Sequence, residues 1–212
     1  MIAVAAACTG KRANETPAPA PPSTAPLPSA GLAGQKVPLF PLTLVGAEDT
    51  LHWDALVADR RATLDLADSI LGGLLVARVP EVGWVTPAEL RRMARRAAGV
   101  ATDPDRMGTA FLRAERLVHV PDPLRSQLRT LAALSDSRYA LIPAGLVYRR
   151  TVGRTDGRTV IAPSGIATAE LSVVLVDTRL GRVGWRTVAR GEGDDPWTAL
   201  TRAVKRLTPG VP

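Results

Sequence analysis

A chain of 212 residues with a formal net charge of +7 and an isoelectric point near 10.6 invites a nucleic-acid reading, but its composition argues against one. Lys stands only at positions 11, 36 and 205, so nearly all of the 27 basic residues are arginine, a skew of the kind a GC-rich genome imposes, and basic composition speaks to non-specific attraction rather than to a specific partner. Aromatic residues are 4%, too few for single-strand stacking platforms, the lone Cys8 excludes a cysteine-rich zinc site or an internal disulfide, and no apolar run approaches the roughly 18 residues of a spanning helix.

At the N-terminus an apolar start ends in Ala5-Ala6-Ala7-Cys8 and runs into a proline-rich stretch. Small residues before a lone cysteine, followed by a polar segment, resemble the processing site of a bacterial lipoprotein, in which Cys8 carries the lipid. Met1 to Ala7 has no Lys or Arg and is shorter than a usual signal segment, as expected if translation starts further upstream. Residues 1–8 therefore read as a truncated signal segment.

Residues 9–35 hold Pro17, Pro19, Pro21, Pro22, Pro26 and Pro28 among Ala, Ser, Thr and Gly. With little apolar surface to bury, such a segment cannot offset its ordering entropy and is expected to be a disordered linker. In polyproline form it would hold the body up to roughly 80 Å from its anchor. Residues 36–212 are expected to form one globular domain, long enough to bury close to 70% of its unfolded surface.

Val37 to Val45 is rich in strand formers, but Pro38 and Pro41 remove ladder donors and predict an edge or interrupted strand. Asp54 to Leu75 predicts a helix, with Leu56, Thr63, Ala67, Ile70 and Leu74 on one stripe and Gly72-Gly73 as its stop. A short strand follows at Val82 to Val85. Thr86-Pro87-Ala88-Glu89 then starts a helix to about Ala98, with Thr86 and Glu89 as a reciprocal cap. Leu90, Met93, Ala94 and Ala97 form its apolar stripe, and Arg91, Arg92, Arg95 and Arg96 take the other side, either as a solvated face or as a docking surface for an anionic partner.

Asp103-Pro104 opens a short helix toward Arg116, and Asp122-Pro123 opens one carrying Leu124, Leu128, Leu131 and Leu134. Strands are predicted at Tyr139 to Tyr148, Ala167 to Asp177 and Val183 to Arg190, the last alternating Val183, Trp185, Thr187 and Ala189 against Gly184, Arg186, Val188 and Arg190. Arg179-Leu180-Gly181-Arg182 closes a hairpin between the last two, with Gly181 free to take positive φ. Thr155-Asp156-Gly157 marks a turn within a loop or hairpin from Val152 to Ile166. Asp195-Pro196 begins a final helix with Trp197, Leu200, Val204 and Leu207 on one face. The fold class is α/β (α+β), a single domain with a mixed, largely antiparallel sheet packed with helices.

Lys36 to Pro41, the helix after it, Val82-Gly83-Trp84-Val85-Thr86-Pro87-Ala88-Glu89-Leu90, the Arg138 to Ile142 strand, and Leu171 to Trp185 with its Asp177 to Val183 turn together resemble a group of periplasmic lipoproteins. These are the curli-secretion (CsgG-like) and penicillin-binding-protein-activator (LpoB-like) proteins, whose fold is similar to the amino-terminal domain of TolB. The resemblance implies no catalysis: some members build a secretion channel, others stimulate cell-wall synthases. This sequence lacks the two long hairpins of alternating apolar residues, roughly ten per strand, that a membrane barrel needs, which favours an accessory role over a channel subunit.

Little else carries chemistry. His52 and His119 fall in predicted connections without a closely spaced partner, so no metal and no cofactor is expected. Glu192, Asp194 and Asp195 read as a helix cap with solvated neighbours. Gly191-Glu192-Gly193 lacks the spacing and lysine of a phosphate loop, and Ser164 lacks the elbow of a nucleophile.

The reading is therefore a lipid-anchored periplasmic protein on the outer membrane. Its partner would be an envelope protein, a cell-wall synthase or secretion component, with oligomerisation left open and no nucleic acid expected. The alternatives are a basic nucleic-acid-binding domain and a channel subunit.

Overall fold

The apolar runs after residue 138 form the three long strands of a four-stranded sheet. In a computed structural model, which describes residues 24–53, 57–155, 158–161 and 166–208, β4 (Tyr139–Arg150), β7 (Ala167–Asp177) and β8 (Arg182–Gly193) pair antiparallel in that order. β2 (Val45–Ala47) adds to β4 in parallel. β1 (Lys36–Pro38) pairs in parallel with β3 (Gly83–Val85) and meets β4 through a bridge from Leu39 to Leu141. The stretch predicted from Val37 to Val45 is thus interrupted, as its prolines require.

Leu171 to Val176 is nearly all apolar because both faces of the sheet are covered. One face carries α1 (Arg60–Arg78) and α4 (Pro196–Leu207), with Leu71, Leu75, Leu200 and Val204 packed against Leu141, Leu171 and Val173. The other carries α2 (Pro87–Arg96), α3 (Leu124–Leu134) and the 3-10 turns Pro104–Arg106 and Thr109–Arg113. Here Leu90, Leu112, Leu128 and Leu131 meet Ala140, Ile142, Val174 and Val176. The single α/β domain expected from the sequence is the one observed.

Val183 and Trp185 are two apart, and simple alternation puts them on one face. Instead Val183 pairs with Val176 and packs in the α2–α3 core, while Trp185 pairs with Leu175 and packs in the α1–α4 core. The extra residue, Gly184, forms a bulge that reverses the alternation there. Gly181 in the hairpin turn takes φ 64°, as expected.

The two ends of α1 and the Asp103 to Arg116 segment differ from expectation. α1 starts at Arg60, where the Asp59 side chain caps the Ala62 amide, and runs through Gly72-Gly73 to Arg78. The glycines do not stop it because tertiary packing offsets their poor propensity: a Cβ on Gly72 would meet Leu39 and Pro87, both at 3.8 Å. Its buried stripe is Thr63, Ala67, Asp68, Leu71 and Leu75, so Ile70 and Leu74 sit at the margin, and Leu56 lies outside the described residues. Asp103 to Arg116 forms two 3-10 turns rather than a helix. Val152 to Thr155 and Arg158 to Ile161 form a hairpin, β5 and β6, one of the two expected alternatives, in which Thr155 pairs with Arg158, while Asp156 and Gly157 lie outside the described residues.

Packing against the domain extends N-terminal of Lys36, into described residues 24–35. The Ala25 amide donates to Thr187 Oγ1 at 2.8 Å, the Leu27 amide donates to the Leu207 carbonyl, and the side chains of Leu27 and Leu32 are buried in the α1–α4 core. Two leucines among the prolines supply the apolar surface that orders this last part of the predicted linker.

Candidate functional site

Two local features build the arginine-bearing helix. Thr86 accepts the Glu89 amide while Glu89 Oε2 accepts the Thr86 amide at 2.9 Å, and Pro87 occupies a position where no donor is needed. The first link to the rest of the fold is Arg91, which turns inward. Its Nη2 donates to Asp68 Oδ2 at 2.5 Å and to Asp105 Oδ1 at 2.7 Å, and its Nε also binds Asp105. Arg61 closes the cluster on Asp65 and Asp105. Arg91 is only 13% exposed and leaves the outward face the sequence assigned to it.

Reciprocal pairing sets the protonation of the cluster. Burial pushes the Asp68 carboxyl up to about 6, against the Leu42 amide, which donates to it at 2.8 Å, and against Arg91. Burial also opposes ionisation of Asp105, but hydrogen bonds from Arg91 and Arg61 hold it below the usual carboxylate range. Burial works against the Arg91 charge too, and the Asp105 and Asp68 carboxylates still hold its pKa above the ordinary value. Asp68 was legible as an oddity, a carboxylate on the apolar stripe of α1. Its partner 23 residues on was not.

Arg92, Arg95 and Arg96 remain exposed, and among the described residues their nearest acidic contact is Glu89 Oε1, 3.9 Å from Arg92. Arg92 and Arg96 do not share a surface with Arg95. They flank a groove of about 450 Å³ between α2 and β3, lined also by Lys36, Trp84, Val85, Glu89 and Met93. Arg95 faces a separate hollow with Ala98 and Asp103. Sequence reasoning missed Lys36, which reaches α2 only through the β1–β3 pairing, where it stands opposite Gly83, and did not single out Trp84, which lies in β3 just before the helix.

The remaining sequence candidates fall apart from this groove. Asp195 caps α4 by accepting the Trp197 and Thr198 amides, while Glu192 and Asp194 are exposed. Gly191 and Gly193 serve close packing: a Cβ on Gly191 would lie 2.2 Å from Ala203 N. His119 bridges to Arg182, and His52 ends a short 3-10 turn at φ 54°. Cys8 and Ser164 lie outside the described residues. No helix among the described residues is long and apolar enough to cross a membrane.

Comparison with known proteins adds the following. No protein-family profile matches the sequence, and no curated protein matches it. Among solved structures, the chain is similar to the LpoB C-terminal domain from Escherichia coli, at 12% identity and a TM-score of 0.36 over 75% of this chain and 83% of that one. A lipoprotein from Neisseria meningitidis is similar at 13% identity and a TM-score of 0.34, over 75% and 83%. The PelC dodecamer from Paraburkholderia phytofirmans is similar at 15% identity and a TM-score of 0.36, over 88% and 94%. The first of these carries the name of the LpoB-like group that the sequence resembles. None of these three is a curli-secretion protein.

Proposed function

We propose that this chain is a non-enzymatic envelope lipoprotein, anchored through Cys8, that binds another protein as an accessory or assembly factor in cell-wall synthesis or secretion. The observation that carries the reading is the contrast between its two sets of charges. Asp68 and Asp105 are occupied by Arg91 inside the fold, whereas Arg92, Arg95 and Arg96 stand exposed, the nearest acid among the described residues being Glu89, 3.9 Å from Arg92. Exposed guanidinium groups suit binding to carboxylate or phosphate rather than proton transfer. The sequence junction at Cys8 and the prolines after it supply the tether. A channel subunit is less well supported, since the sequence lacks the two long hairpins of alternating apolar residues, roughly ten per strand, that a membrane barrel needs.

The test is fractionation of cells producing the protein from its native gene. The wild type is expected in the membrane fraction and the Cys8→Ala protein in the soluble one. Equal membrane retention of both would reject the anchor.

A further inference from the structure

The groove between β3 and α2 has two unlike walls. On the helix wall Arg92 and Arg96 are one turn apart, and residues at that spacing stand about 6 Å from each other. The strand wall presents Trp84 and Val85, with Lys36 at its margin and Met93 on the helix side. Glu89 is the acid of the groove; its Oε2 is already engaged by the Thr86 amide and hydroxyl, and its Oε1 lies 3.9 Å from Arg92. Three cations against one committed carboxylate leave the groove net positive beside an apolar indole.

From this we propose that the groove binds an acidic, extended peptide segment of a partner protein, with carboxylates at alternate positions and apolar residues between them. In an extended chain, alternate side chains lie about 6.6 Å apart on one side, which matches the spacing of Arg92 and Arg96. The intervening residues then face the opposite wall, where Trp84 and Val85 offer apolar contact. A volume of about 450 Å³ lies within the range of ligand-binding clefts. Among the described residues β3 is paired on one side only, with no neighbouring strand on its outer edge. An anionic lipid surface would satisfy the arginines but would not select the alternation set by the two walls.

This inference rests on the proposed accessory role and is tested separately from the anchor. The full chain is titrated with a fluorescein-labelled peptide of sequence Ser-Glu-Leu-Glu-Val-Glu-Ser, followed by polarisation up to about 1 mM. Peptides with Gln for each Glu, or with Ser for Leu and Val, serve as comparisons. The acidic peptide is expected to bind at least about tenfold more tightly than either, Arg92→Glu with Arg96→Glu to weaken it about tenfold or more, and Arg95→Glu to change it less than about twofold. Absence of binding, equal binding of the Gln peptide, or equal loss with Arg95→Glu would overturn the proposal. So would binding to phosphatidylglycerol vesicles that Arg92→Glu with Arg96→Glu abolishes when the peptide does not bind. Such failures leave the Cys8→Ala fractionation result standing, so the groove and the tether fail independently.

Discussion

Arg91 and Asp68, 23 residues apart, lie 2.5 Å from each other and tie α2 to α1, with Asp105 completing the grip from the 3-10 turn. Removing one partner of a buried pair leaves the other charge uncompensated. Arg91→Ala is therefore expected to destabilise the fold by about 3 kcal/mol, whereas Arg95→Ala stays within about 0.5 kcal/mol. Urea unfolding of the two proteins distinguishes an internal tie from a solvated arginine, and equal midpoints would count against the pairing.

Asp68 also predicts a pH dependence. With its carboxyl pushed up to about 6, the folded chain holds a proton that the unfolded chain, near the ordinary carboxylate value, has released. Between about pH 4 and pH 6 the folded state binds more protons, so this group makes stability fall as pH rises through that window. Asp105, held low, acts oppositely: its contribution is present above about pH 4 and is lost as pH falls through its folded value. The Asp68→Asn protein should show a flatter stability curve between about pH 4 and pH 6 than its parent, measured by thermal melts across pH. An unchanged slope there would reject the assignment.

Gly191 and Gly73 predict opposite outcomes for the same substitution. A Cβ on Gly191 would meet the backbone of α4 at Ala203 N and Ala199 O, 2.2 and 2.3 Å away, and backbone cannot swing aside. Gly191→Ala should cost about 3 kcal/mol or more. At Gly73, inside α1, nothing lies within 4 Å, so Gly73→Ala should stabilise by about 0.5–1 kcal/mol. Calorimetric melts of both proteins check the pair.

Leu27 and Leu32 set where the body can be cut. A chain beginning at Thr24 should melt like the full protein. One beginning at Lys36 loses both buried leucines and the Leu27 bond to Leu207. A net loss of about 2 kcal/mol lowers the midpoint of a domain this size by about 4–8 °C. Identical midpoints for the two chains would mean that residues 24–35 add nothing to stability.

The sequence by itself determined the local elements. Thr86, Pro87 and Glu89 start α2, Asp195 and Pro196 start α4, and Gly181 turns the β7–β8 hairpin, because caps and turns depend on residues within a few positions of one another. The apolar run of Leu171 to Val176 likewise announced a strand, and the helices on its two faces emerged from the fold. Other features depend on contacts between distant segments. The sheet decided that Val183 and Trp185 part at Gly184, and packing against Leu39 and Pro87 carried α1 through its glycines. Two leucines seated against α4 and the sheet extended the body into residues 24–35. The arginine face was divided in the same way. Helical spacing gave Arg91, Arg92, Arg95 and Arg96 equivalent places, but Asp68 and Asp105 drew one inward, and the β1–β3 pairing placed Lys36 beside two others. Such groupings are set by which elements meet across the fold, and no local pattern along the chain encodes that.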